Sequence, residues 1–384
     1  MASLNVDQSN QLAGALNEFS WEIYRNIGKD PSSNIFFSPF SIMSALAMTF
    51  AGARGNTAEQ MSDVLGFNKI TDGDVHEAFQ RLNDAMFSSN ASYTLKAANR
   101  LYVQRDYNIL DPFLKKTESK YKAGLISVDF ISAAEGARSL INSWVSEQTS
   151  RKIPDLIPSG VLNSLTRLVL VNAIYFKGNW WKQFDPRHTT TEQFKVSNLE
   201  SIPVKMMFLK KVLFYYDDQI LKCQVLSLPY VGKSLSMLVV LPEPSISLTE
   251  LESRITTDVL SLWMKRSWME HMKVYLPRFK LEESFTLNDH LSGMGMSDIF
   301  NPDKADLSGI TGDKDLSVSQ VIHKAVIEVS EEGTEAAAAT GGRMNVGRTR
   351  QISSTFRADH PFLFLIRHNA SDSILFLGRV VRPQ

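Results

Sequence analysis

A single cysteine, Cys223, in 384 residues rules out an intramolecular disulfide and any multi-cysteine zinc site. Such low cysteine use suits a reducing compartment. The 41 basic and 41 acidic side chains cancel, so no excess of either sign draws the whole molecule to nucleic acid or to an anionic membrane. No stretch approaches the roughly 18 apolar residues of a membrane helix. The run Leu168-Val169-Leu170-Val171 already stops at Asn172. Met1 to Gln8 lacks the basic and apolar regions of a signal peptide, and Val381-Arg382-Pro383-Gln384 carries no retention or lipidation signal. With 14 prolines and 20 glycines the chain is neither collagenous nor of low complexity. These absences predict a soluble, cytoplasmic protein. The alternative is a secreted one given without its signal.

Enzyme signatures are also missing. Gly232-Lys233-Ser234-Leu235-Ser236 fails as a nucleophile elbow at its last position, and Gly293-Met294-Gly295 lacks the third glycine of a dinucleotide loop. The seven histidines never pair at metal-ligand spacing. No metal or cofactor is therefore expected. Cys223 reads as a small buried hydrophobe. His323, on an apolar stretch, reads as a hydrogen-bonded core histidine. Lys115, Lys116, Lys120 and Lys122 read as a solvated face, and Val75 to Met86 holds only Arg81 as a basic residue, so no clear polyanion site is visible. Asn90-Ala91-Ser92 and Asn369-Ala370-Ser371 have the form of glycosylation sequons, a form that short sequences reach by chance.

Periodicity separates two regimes. Leu12, Leu16, Phe19 and Ile23 recur at helical spacing, as do Val75, Phe79, Leu82 and Met86, and a further helix is predicted from Ala133 to about Gln148. Thr57-Ala58-Glu59-Gln60 has the form of a capping box, with Gly66 placed to end its helix. From Leu165 onward strand signals dominate. Leu168 to Phe176 reads as a strand buried on both faces, and Leu221–Tyr230 with Leu235–Leu241 as a hairpin. Met272–Leu281 and Ser317–Val329 read as strands, Thr249–Lys265 and Phe285–Leu291 as helices. With no repeat and no linker, the pattern predicts one large α+β domain over 1–384.

About thirty residues between Val329 and Pro361 carry little hydrophobic content, and so long a loop inside a compact domain is usually functional or disordered. It opens Glu331-Glu332-Gly333-Thr334-Glu335-Ala336-Ala337-Ala338-Ala339-Thr340. Propensity would make the alanines helical. Their small size suits a different task, sliding between paired strands: in β alternation Thr334, Ala336, Ala338 and Thr340 share a face on which nothing is large.

At these residues the chain resembles the serpin family, over essentially its whole length. Glu331 to Thr340 is similar to the hinge of inhibitory members, and Phe356-Arg357-Ala358-Asp359-His360-Pro361-Phe362-Leu363-Phe364-Leu365-Ile366 fits the C-terminal signature. Asn34 to Ser41, Val171 to Trp180 and His323 to Val326 match further segments in order. The resemblance is strongest to the intracellular, ovalbumin-like branch. It implies a three-sheet fold with about nine helices and an exposed reactive-centre loop (about 331–356), acting as a monomer. A trypsin-like serine protease is the implied partner, held in a covalent 1:1 complex when the cleaved loop inserts into the central sheet. The hinge would be Glu331, Gly333, Thr334, Glu335, Ala336, Ala337, Ala338 and Ala339. Ser38, Ser41, Asn172 and His323 match the polar group where the sheet parts, and Trp180 the tryptophan at its top.

The family's spacing from the hinge glycine lands on Gly347, and its spacing back from the signature proline lands on Arg348. Glycine gives a specificity pocket nothing to hold, whereas arginine suits a pocket floored by a carboxylate. The expected reactive bond is Arg348–Thr349, with Arg350–Gln351 as the alternative. Gly341 and Gly342 would each cost about 0.5–1 kcal/mol in a strand, too little to stop insertion. A non-inhibitory carrier or chaperone, or an inhibitor of papain-like cysteine proteases, remain as rival readings.

Overall fold

A computed structural model describes residues 2–71, 73–87, 92–334 and 354–383, with side chains from Asn10 onward. The expectations for Glu335, Ala336, Ala337, Ala338 and Ala339, for both candidate bonds and for Asn90 lie outside these residues. The first half holds helices α1 (Ala2–Ile27), α2 (Pro39–Phe50), α3 (Gly55–Val64), α4 (Val75–Met86), α5 (Asp111–Tyr121) and α6 (Phe130–Gln148), with strands β1 (Ile35–Phe37), β2 (Tyr93–Gln104) and β3 (Leu125–Val128) between them. Strands then take over: β4 (Leu168–Asn179), β5 (Thr190–Lys195), β6 (Ser201–Asp218), β7 (Cys223–Pro229) and β8 (Leu235–Pro242). Helices α7 (Leu248–Arg254) and α8 (Thr257–Arg266), β9 (Trp268–Pro277), β10 (Phe279–Thr286), α9 (Asn288–Gly293) and α10 (Ser308–Thr311) follow. The chain closes with β11 (Val318–Val329), β12 (Gly333–Thr334), β13 (Ser354–Arg357), β14 (Phe362–His368) and β15 (Ile374–Val380).

The strands form a six-stranded sheet, β10-β11-β12-β4-β2-β3, in which β11 also pairs β4, and a nine-stranded one, β1-β15-β14-β8-β7-β6-β9-β13 with β5 on β6. Long β6 serves β5 and β9 along most of its length and β7 at its end, which makes the expected second and third sheets continuous. The α+β class and the expected count of about nine helices agree with the ten α-helices of the described residues.

Burial explains the apolar run of β4. Leu168, Leu170, Ile174 and Phe176 face the main core shared with the other sheet and α1 and α2. Val169, Val171 and Ala173 face a smaller core under α6. Alternate side chains thus enter two interiors, and no polar alternation is left to read.

Four expectations need correction. Thr57 lies inside α3, whose start at Arg54 has no side-chain cap, and its hydroxyl accepts the Asp306 amide at 2.9 Å instead. Gly66, at φ 68°, does end that helix region. Met272–Leu281 is two strands in different sheets: β9 pairs with β6 as far as Pro277, the Arg278 amide makes a last bond to the Lys205 carbonyl at 2.8 Å, and from Phe279 the chain pairs with β11. Thr249–Lys265 breaks at Ile255 and Thr256, where the Thr256 hydroxyl caps a second helix by accepting from the Val259 amide at 3.3 Å. Phe285 and Thr286 pair with His323 and Ile322, so the helix expected there begins only at Asn288.

One buried ion pair ties α1, α7 and β15. Arg379, 1% exposed, meets Glu252 at 3.1 Å and donates from Nε to the Ser33 carbonyl at 3.0 Å, while the Tyr24 hydroxyl donates to Glu252. Burial pushes the Glu252 carboxyl up despite both partners. Arg379→Met would strand that carboxylate, and a loss of about 3–5 kcal/mol is expected, read as a lowered denaturant midpoint.

Candidate functional site

A row of polar side chains crosses the middle of the six-stranded sheet. Asn99 on β2 stands opposite Asn172 on β4, and Asn172 opposite His323 on β11. The row meets the start of α2, where Ser38 is the N-cap and Pro39 occupies the first turn, a position that needs no amide hydrogen. Ser38 Oγ accepts from the Ser41 amide at 3.2 Å and donates to the Leu375 carbonyl at 2.6 Å. Asn172 Nδ2 donates to the Ser41 carbonyl at 2.8 Å, to Ser41 Oγ and to Asn99 Oδ1. Ser38, Ser41, Asn172 and His323 are thereby brought together, and Asn99, which no sequence signal marked, completes the row.

The proton on His323 is fixed by its partners. The Ser38 amide donates to Nε2 at 3.1 Å, so Nε2 is an acceptor and Nδ1 carries the hydrogen that goes to Asn172 Oδ1. Complete burial lowers the imidazole pKa to about 3, and a second proton would confront the Ser38 amide. The Nδ1 bond crosses the seam where β11 and β4 run parallel, from Val318–Leu168 to Val326–Tyr175. A strand entering there would add a spacing of about 4.8 Å and break it.

Above Tyr175 and Val326 the hinge takes the space. A tight turn, in which the Ser330 amide donates to the Gly333 carbonyl at 2.8 Å, reverses the chain after β11. Gly333 then pairs with Asn179, and Thr334 with both Gly178 and Val329, antiparallel to each neighbour. Gly333 is held more closely than a free pivot. Its φ is 145°, and a Cβ there would lie 2.1 Å from the Gly178 oxygen and 2.6 Å from Asn179 Cα, so only glycine fits. Thr334 is buried, its hydroxyl 3.1 Å from the phenol of Tyr230, which burial keeps protonated by raising its pKa.

Trp180 stacks on Tyr230, with ring centroids 4.6 Å apart. It also binds the turn directly: Nε1 donates to the Ser330 carbonyl at 2.9 Å and its amide to the Glu332 carbonyl at 2.8 Å. Glu331, buried, accepts from Arg278 Nε at 2.8 Å and from Thr189 Oγ1. Burial would raise its pKa, but these bonds outweigh it and hold the carboxyl below its ordinary range. Tyr230, Arg278 and Thr189 come from distant segments, and only pairing of the strands reveals them. The arrangement has no nucleophile and base in contact. What it offers is a started strand, a seam below it and a latch across the seam.

A model of the family described as Serpin (serine protease inhibitor) matches residues 14–383. This chain is a serpin. Human leukocyte elastase inhibitor is 48% identical over 380 residues, covering 97% of this serpin and 100% of the relative, and the rat leukocyte elastase inhibitor A matches equally well. Among solved structures, uncleaved ovalbumin superimposes with a TM-score of 0.90 at 37% identity, over 97% of this chain and 100% of its own. Human thyroxine-binding globulin, solved in complex with thyroxine, reaches 0.90 at 30% identity, over 98% of this chain and 100% of its own.

Other residues singled out in this serpin have structural partners. Cys223 is buried, and burial with Asp218 and Asp217 pushes its thiol up to about 12. Lys122 pairs with Asp84 at 2.5 Å and Lys120 with Glu77 at 3.4 Å. Asn369 Nδ2 donates to the Lys233 carbonyl at 2.8 Å and to Ser236 Oγ at 2.9 Å.

Gly333→Ala is expected to unseat the hinge and cost roughly 1–3 kcal/mol, seen as a lower thermal midpoint. Gly14→Ala, in a helix with nothing within 4 Å, should gain up to about 1 kcal/mol. The His323 dependence on pH follows from its depressed pKa. The unfolded chain takes up a proton near 6.5 and the folded one only near 3. Its stabilising contribution is complete above 6.5 and is lost as pH falls toward 3, at up to about 1.4 kcal/mol per unit. The stability difference between wild type and His323→Gln should shrink from about pH 7 to about pH 4. A constant difference would refute the assignment.

Proposed function

We propose that this serpin is a suicide-substrate inhibitor of trypsin-like serine proteases. The protease attacks the loop at Arg348–Thr349, or at Arg350–Gln351, and forms an acyl-enzyme. The freed hinge then runs down the β4–β11 seam, with Thr334 leading and the small side chains of Ala336, Ala337, Ala338 and Ala339 behind it. The protease is carried along in a covalent 1:1 complex. Each molecule acts once, so it is consumed and does not turn over. It works as one domain, a monomer in the cytoplasm, a setting that fits its single cysteine.

The observation that carries this reading is the seating of Gly333–Thr334 between β11 and β4, antiparallel to both. A strand continued from there replaces one parallel pairing by two antiparallel ones, and antiparallel ladders are the more stable per residue. It also fills a seam that now lacks a strand. The native form therefore has a downhill path that opens when the loop is cut, because the uncut loop is anchored at its far end by β13 on β9.

The relatives' names favour a second reading, an elastase-type target. Such a protease has a small specificity pocket, which would prefer Val346 to either arginine. The arginines weigh toward trypsin-like targets, because a long cation needs a carboxylate partner and fits a small pocket poorly.

Mixing the protein with trypsin, running a denaturing gel and sequencing the released C-terminal peptide tests all of this. The expected result is a band near the summed masses with a peptide beginning at Thr349. A start at Gln351 moves the bond to Arg350. Cleavage without a complex favours a non-inhibitory carrier or chaperone. A stable complex with papain in place of trypsin supports the cross-class reading.

A further inference from the structure

We propose that the outward face of β6 and β9 is a second contact surface for the target protease, selecting partners with acidic groups around the active-site rim. The proposal rests on the inhibitory reading above. Lys210 on β6, exposed, and Lys273 on β9, half-buried, stand directly opposite one another on this face. Like charges opposed across two strands destabilise a sheet, and neither lysine has an ion pair among the described residues. Carboxylates on neighbouring segments are engaged: Glu192 with Arg357, Asp185 with Arg187 at 2.6 Å, and Glu270 with the Trp268 indole and the His271 amide. In a chain with no net charge, this is a local concentration of positive charge maintained against its own repulsion.

The same face ends in an apolar recess. Phe214 and Met269, 45% and 52% exposed, are opposite one another. With Trp181, Val212, Pro229 and Lys233 they line a cavity of about 250 Å³, and Lys233 Nζ sits 3.7 Å above the Trp181 ring. A sulfated polysaccharide would have nothing to bury against such a recess. A protein surface with an apolar projection and an acidic rim would, and exposed apolar patches of this kind mark protein contacts.

Chain length brings the protease to this place. Thr355 is paired with Lys273 and Ser354 with Met272, and Arg348 lies six positions before Ser354. The scissile bond is thus within about 20 Å of β13 however the chain runs. A protease domain of about 220 residues is roughly 45 Å across, so one holding that bond must overhang β9 and β6. Positive charge there would speed the encounter with an acidic partner and hardly touch the chemistry that follows.

Anionic and cationic trypsins cut after the same residues and differ in surface charge. At low salt, wild-type protein should form its complex with anionic trypsin faster, by on the order of tenfold. The gap should close in roughly 1 M salt, where screening acts within about 3 Å. Lys210→Ser/Lys273→Ser should close it at low salt while still forming a complex with both enzymes. Equal rates for wild type, or an equal loss with both trypsins in the variant, would overturn the proposal and leave the inhibitory reading standing. Equal rates combined with variant-sensitive retention on immobilised heparin would assign the face to a polyanion instead. Cleavage without a complex by either trypsin would bring down both readings together.

Discussion

The structure turns on a pair of strands that are neighbours for want of a third. β4 and β11 run parallel from Leu168 and Val318 to Tyr175 and Val326, in a sheet whose next strand out on each side, β2 and β10, is antiparallel to them. Side chains of the two strands share both cores: Val171 and Ala173 with Ile322 and Val326 on one side, Leu170 and Ile174 with Val321 and Ala325 on the other. Both faces of β4 are buried. Besides the ladder itself, two local contacts fasten the pair: the His323–Asn172 bond in the middle and the seated turn at the top.

The two fastenings differ in kind. The middle one is a buried polar network in which each member has a partner on another element, so the removal of one leaves others unpaired in a low-dielectric interior. The upper one is steric. Gly333 fits under the Gly178 carbonyl because it has no side chain, and Trp180 holds the turn through two carbonyls. The carboxylate of Glu331, bound by Arg278 and Thr189, couples that turn to the crossing between the two sheets. The base of the loop is thereby referenced to both layers of the fold.

Much of this was legible in the sequence. The two-sided burial of Leu168–Phe176 and the helix over Val75–Met86 announced themselves through apolar runs and periodicity. Ser38, Ser41, Asn172 and His323 could be grouped only through resemblance, because their contacts span 285 positions between Ser38 and His323. Asn99 escaped notice for the same reason: in Ala97-Ala98-Asn99-Arg100 nothing distinguishes a latch residue from a surface amide until β2 is laid against β4. Thr57 misled in the opposite direction. Its spacing to Gln60 suited a cap, but Asp306, far along the chain, offered its hydroxyl a buried amide, and tertiary contact won over local pattern.

The lone cysteine has a further use. Cys223 is enclosed, and its thiol ionises only far above neutrality, so it is silent toward reagents that attack thiolates. A cysteine introduced at an exposed position would be the single reactive thiol in the molecule. Fluorophores or spin labels could then be attached at one chosen strand at a time with no background to remove. The proposed travel of the hinge along the seam could be tested in the otherwise unaltered chain.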